Sequence, residues 1–335
     1  MPDIHDVARL AGVSKSTVSR VLTGNGPVKE ETRIAVEKAI KELDYSPSFL
    51  ARGIRTGKTK TIGLLTPDYS NVYYNELFMG VDEMALQYGY RVIISNTHKD
   101  SKQEINSAIE LCKRNVEGIL YNTYEKNDEN IAYFLALSKK IPVVFLDNVV
   151  TDVPDASFVI TEGRESSAEA VRFLYERGCR RIAYVNHVDS VRHRYEGYLK
   201  GLADCGLEFE EDLVYNCGAA ELREHQPNIG REAVKYFLGL KQPPDAVMAA
   251  TDYMAISIIK HLKISGIKIP EQIKVVGYDN ISLCEFVEPM LTTIAQPIKQ
   301  IGRTAAEILI KKANGITDVE DRVIFKGKLV VREST

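Results

Sequence analysis

The chain has 335 residues, of which 44% are hydrophobic, so it is long enough to bury the cores of two or three compact units. It contains no run of about 20 apolar residues, so we expect no membrane-spanning helix, and its polar N-terminus argues against a secretory signal. The five cysteines are dispersed without a Cys-x-x-Cys pair. We therefore expect reduced thiols, no metal site, no cofactor and a cytoplasmic protein.

The charge is unevenly distributed along the chain. The net charge of the whole chain is −3. Residues 1–58, however, carry ten Lys or Arg and seven Asp or Glu, a net charge of +3, whereas residues 59–335 carry −6. The basic N-terminal segment suits contact with phosphates, and the acidic remainder discourages DNA from binding elsewhere.

The N-terminal segment has the sequence pattern of two short helices joined by a turn. We expect Gly12 to form the tight turn between the two helices, because a side chain or a negative φ at this position would obstruct the turn. Ser14 is placed to cap the second helix by accepting hydrogen bonds from its first N–H groups. Apolar residues at helical spacing predict the inward faces, which comprise Ile4, Val7, Ala8 and Ala11 in the first helix and Thr17, Val18, Val21 and Leu22 in the second.

The outer face of the second helix is polar and basic. Near the N-terminus of a helix, such groups suit the major groove of DNA, where Arg can donate two hydrogen bonds to guanine. A third amphipathic helix over residues 30–43 completes a small core. The alternative is an ordinary three-helix scaffold whose basic residues are merely solvated. The outward residues are Lys15, Ser16, Ser19 and Arg20.

Several strings of residues spread along the chain carry a family resemblance. They are DVARLAGVSKSTVSRVL at 6–22, YSPSFLARGIRTGKT at 45–59, VVGYDN at 275–280, LTTIAQP at 291–297 and LVVREST at 329–335. On these motifs the chain resembles the LacI/GalR family of bacterial repressors over its whole length. The resemblance implies a helix-turn-helix DNA-binding domain at 1–46, a hinge helix at 47–58, and an effector-binding and dimerisation domain at 59–335.

The segment GIRTGKT at 53–59 looks like the motif of a nucleotide-binding P-loop, but we reject this interpretation and with it ATP hydrolysis. It is one residue short of the required spacing, Arg52 stands where the first Gly should be, and the string precedes a predicted strand instead of following one. We therefore read residues 47–56 as a hinge that is only marginally helical, since isolated helices of this length are unstable in water.

In the family that this chain resembles, two hinge helices of a dimer fold together in the minor groove at the operator centre. The resemblance places Ala51, Arg52 and Ile54 in that groove, with Ile54 as an apolar wedge between base pairs. Relatives use a leucine, and the β-branched Ile54 is stiffer. The alternative is that Ile54 is a plain apolar linker residue. For the helix-turn-helix domain at 1–46, which we call the headpiece, the resemblance implies phosphate contacts by Ser14, Thr17 and Asn25.

From residue 60 onwards, apolar strands alternate with helices, which is typical of parallel sheets covered on both faces. The resemblance adds an α/β body like that of periplasmic binding proteins, with two doubly wound parallel-sheet lobes. The chain would cross between the lobes near Thr161, Leu291 and Glu320. The first lobe would then comprise about 59–161 plus 292–320, and the second about 162–291 plus 321–335. The predicted strands are 61–66, 91–96, 118–122, 143–147, 157–161, 181–186, 246–250 and 274–278.

Polar residues follow the carboxyl ends of several predicted strands, where ligands bind in such folds. Carboxylates, a guanidinium and aromatic faces together make a plausible site for a polyhydroxylated ligand. The resemblance aligns Arg194 and Asp279 with effector contacts of the second lobe, whereas Thr251 departs from the Asn of many sugar-binding relatives. The full candidate set is Tyr73, Tyr74, Asp147, Ser190, Arg194, Thr251, Asp252 and Asp279.

Each of these residues also has a purely structural interpretation. Asp252 and Asp279 could be helix N-caps, Arg194 could simply pair with Asp279, and Tyr73 and Tyr74 could form only the wall of the cleft. If Arg192, His193 and Arg194 instead concentrate positive charge at one strand end, the effector would be an anion such as a sugar acid or sugar phosphate. The histidines show no metal spacing and no partner nucleophile, so we expect no catalytic residue.

The sequence as a whole therefore predicts a dimeric, sequence-specific transcription repressor that binds a palindromic operator and is switched by a sugar or sugar derivative. A catabolite-control regulator with a phosphoprotein co-repressor is the main alternative. Members of that subgroup carry an Arg in the helix after LTT-x-x-Q, where this chain has Glu307, whose carboxylate would repel a phosphate. A sugar-binding transport protein is the second alternative, and the N-terminal headpiece argues against it.

Overall fold

The computed structural model describes residues 2–23, 26–45, 58–123, 126–146, 153–187, 192–217 and 227–335. The chain divides into two compact units, Met1–Lys60 and Thr61–Thr335. Most of the expected hinge lies outside the described residues, and so do six candidate site residues, namely Asn25, Ala51, Arg52, Ile54, Asp147 and Ser190.

The N-terminal unit contains the three expected helices. They are α1 (Ile4–Leu10), α2 (Lys15–Thr23) and α3 (Glu30–Glu42). The turn between α1 and α2 contains Gly12 at φ +65°, which confirms the expected positive φ, although a Cβ there would meet no atom within 4 Å and so would not obstruct the turn. The core of the unit is small, because Val7, Val18 and Val36 are the residues at its fully buried centre. The expected inward faces of the three helices meet around them.

The body consists of alternating strands and helices, as the sequence predicts. Its first part comprises β1 (Thr61–Thr66), α4 (Val72–Gln87), β2 (Arg91–Asn96), α5 (Ser101–Lys113), β3 (Ile119–Asn122), α6 (Asp128–Ser138), β4 (Val143–Leu146), β5 (Ser157–Glu162) and α7 (Arg164–Glu176). Its second part comprises β6 (Ile182–His187), α8 (Arg192–Asp204), β7 (Val214–Cys217), α9 (Pro227–Leu238), β8 (Ala246–Ala249), α10 (Asp252–Ile264), β9 (Lys274–Asp279), β10 (Thr292–Ala295), α11 (Ile298–Ala313), β11 (Arg322–Lys326) and β12 (Lys328–Val330).

These strands form two six-stranded sheets, one for each lobe. The order in the first sheet is β11-β5-β4-β3-β1-β2, and the order in the second is β12-β10-β9-β8-β6-β7. All pairings in the first sheet are parallel, and in the second only β12 is antiparallel to its neighbour. All eight strands expected from the sequence are present, and β7, β10, β11 and β12 are additional.

The chain crosses between the sheets three times, but two crossings lie away from their expected places. The first follows β5, close to Thr161 as expected. The second comes after β10, which pairs with β9 in the second sheet, so it lies at Gln296 and Pro297 and not near Leu291. The third lies at Gly327, between β11 and β12, and not near Glu320. Consequently β10 belongs to the second lobe and β11 to the first, contrary to the expected lobe limits.

The central strands read as continuous apolar runs because both of their faces are covered by helices. Strands β1, β3, β4 and β8 are buried along their whole length. In the first lobe α4 packs against α11, and in the second lobe α7 packs against α8 and α9 against α10. The helices cover the faces of each sheet but not its end. The carboxyl ends of the strands and the first turns of the following helices therefore form an edge of each lobe at which polar side chains can lie.

Candidate functional site

The first candidate site is the outer face of α2. Lys15, Ser16 and Arg20 are exposed, and Ser19 is half-buried, so the structure places all four on the outer side as expected. The hydroxyl of Ser14 accepts from the backbone N–H of Thr17 at 3.2 Å, which confirms its capping role.

The hydroxyl groups at this helix start form a small cluster. Ser14 Oγ lies 2.7 Å from Ser16 Oγ and 2.9 Å from Thr17 Oγ1. The first turn of α2 contains no acidic residue, so nothing there offsets the positive end of the helix dipole. Hydroxyls, a helix N-terminus and two cationic side chains together make a surface that can bind phosphate and read base edges.

The second candidate site lies at the carboxyl ends of the strands of the second lobe, and Arg194 is at its centre. This side chain belongs to the first turn of α8, yet the residue is only 6% exposed. Its Nη2 lies 3.1 Å from Asp279 Oδ1, and its Nη1 donates to the carbonyl of Ala250 at 2.6 Å. The guanidinium carbon also lies 3.8 Å from the centre of the Tyr278 ring. A charge-assisted pair and a stacked aromatic ring therefore hold the planar group in one orientation.

Asp279 joins this cluster to the second chain crossing. It is the last residue of β9, with φ +121°, and it does not cap a helix. Gln296 Nε2 donates to Asp279 Oδ1 at 2.7 Å, and the Gln296 N–H donates to the Asp279 carbonyl at 3.2 Å. Gln296, which was missed as a site residue, therefore links the charged pair to the segment that leads into the first lobe. The LTT-x-x-Q string that contains it was the available signal.

The neighbouring pair Thr251 and Asp252 has divided roles. Thr251 is the N-cap of α10, and its hydroxyl accepts from the Met254 N–H at 3.4 Å. The suggestion that Asp252 caps this helix is therefore wrong. Asp252 is fully buried, and its carboxylate accepts from the Ile281 N–H at 2.9 Å and from the Thr293 hydroxyl at 2.5 Å. Burial raises the pKa of this carboxyl group. Asp252 thus ties β10 and the turn after β9 to the start of α10.

In the first lobe, Tyr73 and Tyr74 begin α4. Tyr73 is buried and Tyr74 is half-buried, and their rings meet edge to face with centres 5.2 Å apart. Asn71 caps the helix by accepting from the Tyr73 N–H at 2.9 Å. Tyr73 is therefore hardly accessible to solvent, whereas Tyr74 is partly exposed.

Two polar side chains at the same edge of the first lobe were missed by the sequence reasoning. Thr66 ends β1 and Asn122 ends β3, and the register that pairs Leu65 with Tyr121 makes them neighbours. Both are buried, and Thr66 Oγ1 and Asn122 Nδ2 have no hydrogen-bond partner among the residues that the structure describes. The sequence feature that could have identified them is a polar residue at the end of an apolar strand, as in the case of Asp279. Unmatched buried donors and acceptors at a strand end are what a ligand or an ordered water would satisfy.

The positive charge expected around residues 192–194 is balanced within the chain. Arg192 is largely exposed and pairs with Glu196 through Nε and Oε1 at 2.8 Å. The His193 ring lies 3.9 Å from the same carboxylate group. Since Arg194 is paired with Asp279, the three basic side chains face two carboxylates, which offset much of the positive charge on which the anionic-ligand hypothesis rests.

The described part of the chain gives no geometry for metal binding or membrane insertion. Within it, no cluster of three or more His, Cys, Asp or Glu could hold a metal ion, and no helix is long and apolar enough to span a bilayer. Burial raises the pKa of the Cys179 thiol to about 11 and raises that of Cys284 further, which disfavours the nucleophilic thiolate at both positions.

Comparison with protein families supports both halves of this organisation. A model described as bacterial regulatory proteins, lacI family, matches residues 3–48. A model described as a periplasmic binding protein-like domain matches residues 171–335.

Individual relatives match along the whole chain. Catabolite control protein A of Priestia megaterium is 31% identical, over 99% of this chain and 98% of its own length. Among solved structures, the lac repressor dimer bound to operator and the anti-inducer ONPF matches with a TM-score of 0.89 at 26% identity, covering 100% of this chain and 99% of that one. A complex of the transcriptional regulator CelR with cellobiose matches with a TM-score of 0.74 at 29% identity, covering 100% of both chains. By name, these relatives are regulators of transcription and not enzymes.

Proposed function

Because this chain belongs to the lacI family of bacterial regulatory proteins, and is thus a DNA-binding transcription regulator, we propose that it is a cytoplasmic repressor switched by a small molecule. A homodimer would bind a roughly palindromic operator. This proposal rests mainly on one observation: the chain that contains a helix-turn-helix also has a buried cluster of Arg194, Asp279 and Gln296 at the edge of the second lobe. The first supplies a ligand site, and the second supplies the DNA-reading element.

On the DNA side, α2 of each protomer would enter the major groove of one half-site. Lys15, Ser16 and Ser19 would contact base edges or nearby phosphates, and Arg20 is the candidate for two hydrogen bonds to one guanine. The hydroxyls of Ser14 and Thr17 would face the backbone phosphates, together with Asn25. Ala51, Arg52 and Ile54 would lie in the minor groove between the half-sites.

On the ligand side, the effector would lie between the two lobes and contact both edges. Arg194 and Asp279 present fixed donors and acceptors, and Thr251 and Gln296 lie beside them. From the first lobe, Tyr74 would supply an aromatic face, with Tyr73 as wall, while Thr66 and Asn122 offer unmatched polar atoms. Asp147 and Ser190 complete the proposed set. Asp252 would act as a positioning residue, because its carboxylate is already occupied by the chain.

We propose a neutral, hydroxyl-rich effector of the sugar class. Arg194 and Asp279 neutralise each other, so the pair offers an anion no net positive charge, whereas a neutral polyol can donate to Asp279 and accept from Arg194. The cellobiose complex of CelR supports this choice. Effector binding would change the lobe arrangement and with it the spacing of the two hinges, a coupling of about 1–3 kcal/mol in typical allosteric proteins.

The phosphoprotein alternative is not favoured. Glu307, on α11, pairs with Lys311 at 2.7 Å and accepts from the Tyr88 hydroxyl at 3.4 Å. Arg303 on the same helix pairs with Glu83 at 3.2 Å. The helix therefore presents a carboxylate where a phosphate-binding surface would need a cation.

A ligand screen tests the proposal directly. The thermal unfolding of the purified protein is followed with neutral mono- and disaccharides, uronic acids, sugar phosphates and nucleobases. A ligand at 100 times its dissociation constant adds about 2.7 kcal/mol to stability and raises the melting temperature by a few degrees. We expect a shift with a neutral sugar that is abolished in Arg194→Ala and retained in the exposed-site control Arg192→Ala.

The same preparation tests DNA recognition. Selection of bound sites from a random oligonucleotide pool should yield a palindrome, and the sugar found in the screen should alter its affinity. A stronger shift with the uronate than with its neutral sugar would contradict the neutral effector. An asymmetric selected site would contradict the symmetric dimer.

A further inference from the structure

Two hydrogen-bonded contacts join the lobes away from the chain crossings. The first is made by Tyr253, the second residue of α10 in the second lobe. Its hydroxyl donates to the Ser70 carbonyl at 3.3 Å and accepts from the Val72 N–H at 3.2 Å. Val72 is the first residue of α4, so a side chain of one lobe binds the start of a helix in the other. The Tyr253 ring also packs against the buried apolar cluster of the body.

The second contact lies one turn further along α4. Glu76 Oε1 accepts from the Ser282 N–H at 3.3 Å. Ser282 begins the short 3-10 turn that follows β9, and that turn is anchored to the second lobe through the bond between Ile281 and Asp252. Both contacts therefore join the first turns of α4 to the rigid strand-end edge of the second lobe.

In the first sheet both contacts lie away from the crossings, and in the second sheet the Tyr253 contact lies further from them than the Ser282 contact, which follows β9 beside β10. In the first sheet the chain leaves through β5 and β11 at one side, whereas α4 follows β1, three strands away from β5. At about 4.8 Å per strand this separation is about 14 Å. In the second sheet the crossing strands are β10 and β12, whereas Tyr253 follows β8, two strands from β10. A contact displaced from a hinge in this way resists rotation of the lobes more than one beside it.

We propose that Tyr253 and Glu76 form an interlobe latch that holds the two lobes together. The bond to the Val72 N–H can break at low cost, because this group lies at a helix start, where water can replace its partner. The latch thereby sets the resting balance between closed and open lobes against which an effector must act. Its link to operator release rests on the proposed function, but the latch itself does not.

Amide hydrogen exchange of the full-length, ligand-free protein tests the latch. Tyr253→Phe keeps the packed ring and removes only the hydroxyl. Faster exchange at Val72 alone would show merely the loss of a local helix contact. The deciding position is Ser282, whose own partner, Glu76, is unchanged in this variant. We expect its exchange to accelerate roughly two- to tenfold, in keeping with the loss of one net hydrogen bond.

The reciprocal variant and a matched control complete the design. Glu76→Ala should accelerate exchange at Val72, whose partner Tyr253 is intact. Tyr69→Phe is the control, because the Tyr69 hydroxyl bonds to the Ile94 carbonyl within the first lobe at 3.2 Å, and it should leave both amides unchanged. Unaltered exchange at Ser282 in Tyr253→Phe, or at Val72 in Glu76→Ala, would overturn the latch. The result does not depend on any effector or operator, so failure of the proposed function would show separately, in the ligand screen and site selection.

Discussion

The guanidinium of Arg194 and the carboxylate of Asp279 lie 3.1 Å apart, and less than a tenth of either side chain is exposed. Burying two charges costs more than their attraction returns unless further hydrogen bonds complete the pair. Here Ala250 and Gln296 provide those bonds. The arrangement fixes the direction of donors and acceptors at a lobe edge, which is more useful for recognition than for stability.

Breaking this pair should have a large effect. Arg194→Ala leaves the buried Asp279 without a counter-charge, so the free energy of unfolding should fall by about 3–5 kcal/mol. Urea unfolding measures it. The Arg192→Ala control removes an exposed pair and should cost less than about 1 kcal/mol. In a double-mutant cycle with Asp279→Ala, additive losses would show that the two side chains do not interact.

Arg20 on α2 is the sharpest test of DNA reading. If it binds one guanine, Arg20→Ala should weaken operator binding by about 1–3 kcal/mol and relax the preference at one base pair per half-site. Fluorescence anisotropy with operators substituted at each position measures both effects. Arg33→Ala, which removes an exposed pair with Glu30 on α3, should leave the preference unchanged. Equal weakening on every sequence would mean that Arg20 contacts phosphate.

Ile54 lies outside the described residues, and its wedge role stays a prediction from the family resemblance. Ile54→Ala should reduce operator affinity because the smaller side chain cannot separate the central base step. The N-terminal unit should keep its helical circular dichroism, since its core is built from Val7, Val18 and Val36. Operator affinity equal to that of the unaltered protein would remove the wedge.

The helices of the N-terminal unit and the positions of the eight strands along the chain were predictable, because the sequence signals for them are local. Gly12 and Ser14 follow from turn and cap chemistry, and the apolar faces of α1 and α2 follow from helical periodicity. The eight expected strands were recognisable as short, largely apolar runs. In each case the residue's immediate neighbours in sequence decide its structure.

The lobe membership of the last strands was not predictable, because sheet pairing is a long-range property. Nothing local in 292–295 or 322–326 tells which sheet each will join, and the two assignments were exchanged. Glu104 illustrates the same limit. An acidic residue in a helix looks solvated, yet this one is 2% exposed and its carboxylate accepts from Tyr121, Thr123 and Asn130. Only the tertiary structure brings those donors together.

The first lobe should lose stability in acid through Asp321. Burial alone would raise the pKa of Asp321, but hydrogen bonds from Lys312 and Ser157 outweigh it and hold the pKa below its ordinary value. A lowered carboxyl pKa stabilises the fold at pH values above the unfolded-state pKa of about 4, and the contribution is lost as the pH falls through the folded-state value.

Asp321→Asn removes this contribution. The variant should be less stable than the unaltered protein at pH 7, and the difference should shrink below about pH 4. Urea unfolding at both pH values measures the change. Asp318→Asn, at an exposed position, serves as the control. Its free energy of unfolding should equal that of the unaltered protein at both pH values. A gap that stays constant with pH would mean that the ion pair with Lys312 contributes nothing.

Strand β12 and the residues after it make the final segment of the chain a structural part of the second lobe. The Ser334 hydroxyl donates to the Val275 carbonyl at 2.6 Å and accepts from the Thr292 N–H at 2.8 Å. Until these residues leave the ribosome, β10 has an open edge and the second sheet is incomplete, although most of the chain has already been made. An exposed strand edge invites pairing with another chain. Removal of residues 328–335 should therefore cause aggregation during synthesis, whereas the N-terminal unit, with its own core, can fold early.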